Sequence, residues 1–433
     1  MKGSVLKKFL CTCLVTAAAF AATTISASAC TTIYVGGDLV EEGTPFVART
    51  EDYGSDYNKL WFISESGKWK QGDHYVGCPE YGPFEWDFTH DSYRFTYFTN
   101  DIYYDGICPE CGEKADHYSY TEFGTNEKGV SVSATETLYG NEKVTEADPY
   151  RDAEWAEANK SERIGIEETD IPTIILAEAS SAREGVKLLL DIYENYGCVA
   201  ASGVFVCDKD EAWYVENCSG TQYVAIKLND NMIFLEPNMA VIGRVDLDDE
   251  NVIASKDLIA VAKKAGTFVG DEAKNIIDFR ASYARISEKM DQRMIDGLNY
   301  LNATYKYDSD TLVADNTKFT ISNLDASDKL VALYTNIKAD RKLDKDDVFG
   351  YYKLSSIGKA SNQEIEIFQL FEDRPVETGT VGWVGVGNMS NNVFVPYYPM
   401  LLTDQYEGYQ VSTATVTKTT EKPDSFCTWT TRD

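Results

Sequence analysis

The stretch Ser26–Gly37, SASACTTIYVGG, and the stretch Gly43–Gly54, GTPFVARTEDYG, decide how this chain is read. Upstream of Cys30 stand Lys2, Lys7 and Lys8, then an apolar run from Phe9 to Ile25, then Ala27-Ser28-Ala29. That order is the basic segment, apolar segment and small-residue cleavage site of a secretory signal, with the cut after Ala29. A membrane anchor fits less well, because the run is short and broken by Cys and Thr. No other segment holds the roughly 18 unbroken apolar residues of a spanning helix. The expectation is an exported chain, secreted or retained at the cell surface, that begins at Cys30.

A cysteine in that place has a chemical consequence. Its new α-amino group ordinarily titrates near about 8 and its thiol near about 8.5. Nucleophile and base then sit on one residue, and the amine takes the thiol proton directly or through one water. Thr31–Val35, TTIYV, reads as a strand, and Pro45–Gly54, PFVARTEDYG, as a second strand running into a turn. Antiparallel pairing of the two returns Arg49 and Asp52 to the N-terminus. Asp52 is placed to hold the ammonium or order the thiol, and Arg49 to pair with Asp52 or with a substrate carboxylate.

The chain of 433 residues carries a formal charge of -30, and loss of residues 1–29 takes away three lysines and no acids, leaving -33. Such a field repels phosphate, which argues against nucleic acid or an anionic membrane surface as partner. At 43% hydrophobic and 12% aromatic residues the composition is that of a folded domain. Of ten cysteines, Cys11 and Cys13 leave with the leader. Cys30, Cys78, Cys108, Cys111, Cys198, Cys207, Cys218 and Cys427 remain, enough for four disulfides, or an odd seven if Cys30 is reserved for chemistry.

Further along, residues 68–125 form an aromatic, cysteine-bearing excursion with short strands. Gly129–Thr137, GVSVSATET, alternates as a strand. Residues 149–170 read as a charged surface loop with some helix. Helical period begins after Asp170 and ends near Gly197, with Ser180-Ser181 dividing it into two helices. GVFVCD, EAWYVENC and QYVAIKL form a meander between Val199 and Leu228, to which NMIFLEPNMAVIG adds another strand. Residues 250–300 are helical in period, and EIEIFQLF and TVGWVGVG return to strands. No internal repeat or linker divides the chain, so the expectation is a signal peptide over 1–29 and one α+β domain over 30–433.

CTTIYVGG and GTPFVARTEDYG resemble the start of the N-terminal-nucleophile (Ntn) cysteine hydrolases, above all the cysteine dipeptidases related to choloylglycine hydrolase and penicillin V acylase. NEKGVSVSATET, EAWYVE, PNMAVIG and GWVGVG with FVPYY extend the likeness over most of residues 30–400. The resemblance implies a four-layer αββα sandwich with Cys30 as nucleophile and Arg49 and Asp52 as its companions. It implies Asn238 as donor to the oxyanion, a second oxyanion or substrate position near Thr135 and Glu136, and Arg285 as a later family arginine. The acylase branch places asparagine or tyrosine at that second position, so the departure here favours a dipeptidase acting on short peptides. No cofactor and no catalytic metal is implied, and a homo-oligomer stays open.

Other readings compete. An amidase for bile-acid conjugates, penicillin V or N-acyl amines shares the fold. A lipid-anchored binding protein would also place cysteine after its signal, but the usual lipobox leucine is replaced by Ala27. Cys108-Pro-Glu-Cys111 has zinc-knuckle spacing that Cys78 and His117 would complete, and a disulfide fits as well. Cys207 and Cys218 are candidates for a bridge between neighbouring strands. DKDDVFG (Asp344–Gly350) and DLDDEN (Asp246–Asn251) read as solvated acidic loops rather than calcium sites. The three histidines fit no Ser-His-Asp or HExxH arrangement.

Overall fold

The computed structural model describes residues 30–52, 59–77, 84–100, 121–286, 291–301, 339–390 and 392–404. Two antiparallel sheets face each other. The first runs in the order β12 (Ile233–Glu236), β1 (Thr32–Val35), β2 (Phe46–Asp52), β17 (Asn362–Leu370), β18 (Thr380–Val386) and β19 (Val395–Tyr397). The second runs β14 (Val252–Ala254), β11 (Tyr223–Leu228), β10 (Ala212–Asn217), β9 (Ala201–Cys207), β8 (Ser131–Leu138), β7 (Phe123–Asn126), β6 (Phe95–Asn100) and β3 (Lys59–Ser64). Two small ribbons lie apart: β4 (His74–Val76) with β5 (Glu85–Asp87), and β13 (Arg244–Asp246), β16 (Ile276–Asp278) and β15 (Gly270–Asp271).

Period-two alternation assigns every strand two faces. In β8, Val132 and Ala134 join the outer cluster with Val204, Val206, Trp213 and Val215. That cluster is roofed by α1 (Ile171–Glu178) and α2 (Ala182–Asn195). The intervening residues point between the sheets, where Phe205 and Tyr214 meet Phe234, and Phe123 meets Phe368, edge to face or tilted. Beyond the first sheet lie α3 (Gln292–Tyr300) and α4 (Lys345–Tyr352), and Gly297 of α3 fits against Leu235 and Tyr351. Helix, sheet, sheet, helix is the four-layer α+β sandwich expected.

The helix break at Ser180-Ser181 has a clear cause. Ser181 leaves the helical region and its hydroxyl accepts from the Glu184 N–H at 3.2 Å, capping α2. Val186, Leu189, Leu190 and Tyr193 then repeat at helical spacing and are all buried. Asp344, in the first acidic loop, is the N-cap of α4 and shares a capping box with Asp347. The stretch read as a solvated acidic loop is therefore mostly the first turns of α4.

Three expectations change. The strand in NMIFLEP does not extend the meander. It crosses to the other sheet and pairs with β1, Ile33 opposite Leu235. The helical period over 250–300 is broken into short helices and β14 to β16, because Gly266 at φ 71° caps the helix Leu258–Ala265. Cys207 and Cys218 do not bridge, and with Cys198 they are buried free thiols. Cys207 pairs across from Ala212 at one end of β10 and Cys218 follows its other end. The length of that strand separates them by about 20 Å, far beyond disulfide reach. The leader, the CxxC pair, Cys78, His117 and Cys427 lie outside the described residues. Among the described residues no cluster of His, Cys, Asp and Glu is arranged to hold a metal ion, and no helix is long and apolar enough to cross a membrane.

Candidate active site

Cys30 directly precedes β1, and β1 is an interior strand between β12 and β2. The start of the domain is therefore held from both sides. Thr31 donates its N–H to Thr50 Oγ1 at 2.8 Å, and the Thr50 N–H bonds the Thr31 carbonyl at 3.0 Å. The Cys30 side chain is buried, with its Sγ 3.2 Å from Arg49 Nη2 and 3.8 Å from Glu51 Oε2. Burial pushes the thiol well above its ordinary range. The Arg49 charge pulls it back, and Glu51, Asp52 and Glu168 push it further up. Burial in this setting disfavours the thiolate.

Arg49 is the centre of the constellation. Its guanidinium donates to Ser133 Oγ at 2.9 Å, pairs with Glu51, and lies 3.4 Å from Glu168 and 3.6 Å from Glu366. Ser133 passes the chain on by donating to Glu366 Oε1 at 2.5 Å. Burial works against the Arg49 charge, but Cys30 and the surrounding acids more than offset it and hold it cationic. Only a fixed, permanently charged fork reaches so many acceptors from one strand position.

The structure brings Cys30 and Arg49 together, and separates Arg49 from Asp52. Successive strand residues point to opposite faces. Arg49 and Glu51 share the face toward the second sheet, so Glu51 takes the pairing expected of Asp52. Asp52 instead accepts from Asn362 Nδ2 at 2.5 Å and sits 3.2 Å from Lys359 Nζ. Burial raises its carboxyl, and Lys359 and Asn362 oppose the rise. It still acts on Cys30 through its field.

Asn238 stands in the loop after β12 at φ 59°, in the left-handed region that asparagine tolerates better than most residues. Thr135 donates its hydroxyl to Asn238 Oδ1 at 3.1 Å. Thr135 is thus brought to Asn238 as a neighbour. Glu136, the next residue, is half-buried, and burial followed by the nearby Glu51 raises its carboxyl.

Arg285 is not brought to Cys30. It is exposed, with its guanidinium 4.3 Å from the Tyr139 ring centre. Arg293, in α3, is the arginine that reaches Cys30. Its Nη1 donates to the Cys30 carbonyl at 2.7 Å and to Thr31 Oγ1 at 3.2 Å, and its Nη2 donates to the Pro237 carbonyl at 2.5 Å. Asp291 holds the same guanidinium at 2.8 Å and 2.9 Å. Sequence reading misses Arg293 because SYARIS matches a local pattern while DQR does not. Glu51 was recoverable, since it lies two residues from Arg49 and so on its face. Glu168, Ser133 and Glu366 carry no local signal, because they come from three distant segments.

A buried thiol thus lies beside a fixed cation, and Arg293 ties the start of the Asn238 loop to the Cys30 carbonyl. Residues 29–432 match the sequence profile of peptidase family C69. The chain belongs to peptidase family C69. Among curated proteins it is 31% identical over 398 residues to the protein named probable dipeptidase B of Streptococcus pyogenes serotype M1, spanning 88% of this chain and 74% of that one. It is 28% identical over 380 residues to the protein named probable dipeptidase of Salmonella dublin, with 86% and 81% covered. Among solved structures, penicillin V acylase from Agrobacterium tumefaciens aligns over 82% of each chain at 12% identity and a TM-score of 0.36. A mutant of conjugated bile acid hydrolase from Clostridium perfringens aligns over 87% of this chain and 99% of that one, at 13% identity and a TM-score of 0.32. A peptidase of family C69 hydrolyses amide bonds.

Proposed function

We propose that this protein is an exported dipeptidase whose nucleophile is Cys30, activated when removal of residues 1–29 frees its α-amino group. The observation that carries the reading is the Cys30 thiol 3.2 Å from Arg49 at the entry to an interior strand. The free amine takes the thiol proton. The thiolate attacks the peptide carbonyl, forming a C–S bond and a tetrahedral oxyanion that the Asn238 amide receives. The ammonium gives its proton to the leaving amine as the C–N bond breaks. Water, deprotonated by the same amine, then cleaves the thioester and releases the acid. The relatives' names support short peptides as substrates.

The test is N-terminal analysis of the exported protein together with a Cys30→Ser variant. The mature chain should begin at Cys30, and the variant should lose at least about a thousandfold in kcat/KM on dipeptides. A mature chain that starts elsewhere, or full activity in Cys30→Ala, sinks the proposal. Bile-acid conjugates and penicillin V assayed in parallel distinguish the peptide substrate from other amides. Palmitate labelling distinguishes a lipidated Cys30, whose blocked amine would rule out the mechanism.

A further inference from the structure

The loop that carries Asn238 is gripped by ionisable side chains that are themselves out of water. Glu216, on β10 of the second sheet and fully buried, accepts the Val241 N–H at 2.7 Å on one carboxyl oxygen and the Ile242 N–H at 3.1 Å on the other. Arg280 donates through Nε to the Ala240 carbonyl at 2.7 Å, and Glu236 accepts the Met239 N–H at 2.7 Å. Arg293 takes the Pro237 carbonyl. The loop's far end is pinned to the helix Phe279–Tyr283, with the Phe279 N–H on the Gly243 carbonyl at 2.8 Å and the Arg280 N–H on the Ile242 carbonyl at 2.9 Å.

Burying two carboxyl groups and an arginine is costly unless they are engaged. Here the engagement is spent on the peptide groups either side of Asn238. We propose that Glu216 is a positioning residue for the reaction: it fixes the Met239–Ile242 backbone so that Asn238 keeps its left-handed conformation and its amide stays aimed at the oxyanion. Glu236 and Arg280 complete the same bracket. Arg293 links it to the nucleophile, since one guanidinium spans the Cys30 and Pro237 carbonyls. The inference rests on Cys30 and Asn238 having the roles proposed above.

A double-mutant cycle on the processed enzyme tests it. Glu216→Gln puts an NH₂ where a carboxyl oxygen now faces an N–H. The expected result is a fall in kcat of about tenfold or more with KM held within about twofold, because a loosened oxyanion donor acts in the transition state. Inhibition by a dipeptidyl aldehyde, which adds the Cys30 S–H across its carbonyl and presents the oxyanion oxygen, should weaken by the same factor. In an Asn238→Ala background, Glu216→Gln should cost less than about twofold more. An equal cost in both backgrounds, or an undiminished kcat, overturns the proposal. Should Glu216→Gln fail to fold, Glu236→Gln carries the same cycle through the Met239 contact alone. Alkylation of Cys30 in each variant separates the two readings: activity that survives it overturns Cys30 as nucleophile, whatever the cycle shows.

Discussion

Arg49 shows what one residue does at this site. Glu51, Glu168 and Glu366 crowd around it, and burial of those acids is tolerable only while the guanidinium faces them. Arg49→Met should therefore lower stability by about 3–5 kcal/mol in urea unfolding, and a loss below about 1 kcal/mol would show that the acids are already neutral. Arg49→Lys keeps the charge but loses the fork that reaches Ser133 and Cys30 together. Its kcat/KM should fall by about a hundredfold while most of the stability is kept, read from kinetics and urea melts side by side. Half of this residue's environment was legible in ARTED. Arg49 stood out as a strand cation near Cys30, and strand alternation would have preferred Glu51 to Asp52 as its partner.

Elements set the distances between those residues. Gly203 on β9 lies opposite Thr135 on β8, and a methyl group there would overlap the Tyr214 hydroxyl and come within 3.1 Å of Thr135 Cγ2. Gly203→Ala should displace Thr135 from Asn238 and lower kcat several-fold, with kinetics unchanged from wild type counting against the register described. Ser181→Ala removes the cap that starts α2 and should cost about 1 kcal/mol in a urea titration without altering kcat. An activity loss there would tie α2 to the site more closely than its position on the outer layer allows. Helix breaks and strand runs were readable because they depend on neighbours a few residues apart. The partner of β12 was not, because joining it to β1 instead of β11 is a choice between two apolar edges.

At the level of the whole molecule, buried carboxyls govern the response to pH. Burial raises Glu216 and Glu366 to about 8 and Glu236 to about 7, against an ordinary 4.5. These groups keep their protons in the folded state to higher pH than in the unfolded chain. Between about pH 4.5 and 8 the folded state thus binds more protons, and stability falls as pH rises through that window. Unfolding free energies from urea titrations at pH 5 and pH 9 should differ by at least about 2 kcal/mol in favour of pH 5. Equal or greater stability at pH 9 would mean that the carboxyls are ionised and fully satisfied throughout. The formal charge of -30 acts in the same direction, since self-repulsion grows as the remaining acids ionise.

The linear chain carries, on its own, the two strands that follow Cys30, the divided helix after Asp170 and the α+β layering. All of these rest on contacts or periods within a dozen or so residues. Only the tertiary structure selects Arg293 over Arg285, puts Glu168 and Glu366 beside Arg49, and closes Glu216 onto the Asn238 loop. Strand alternation states which face a side chain occupies but not which distant strand covers that face. That choice belongs to the packing of two sheets, which brings together segments far apart in the chain and buries their charges against one another.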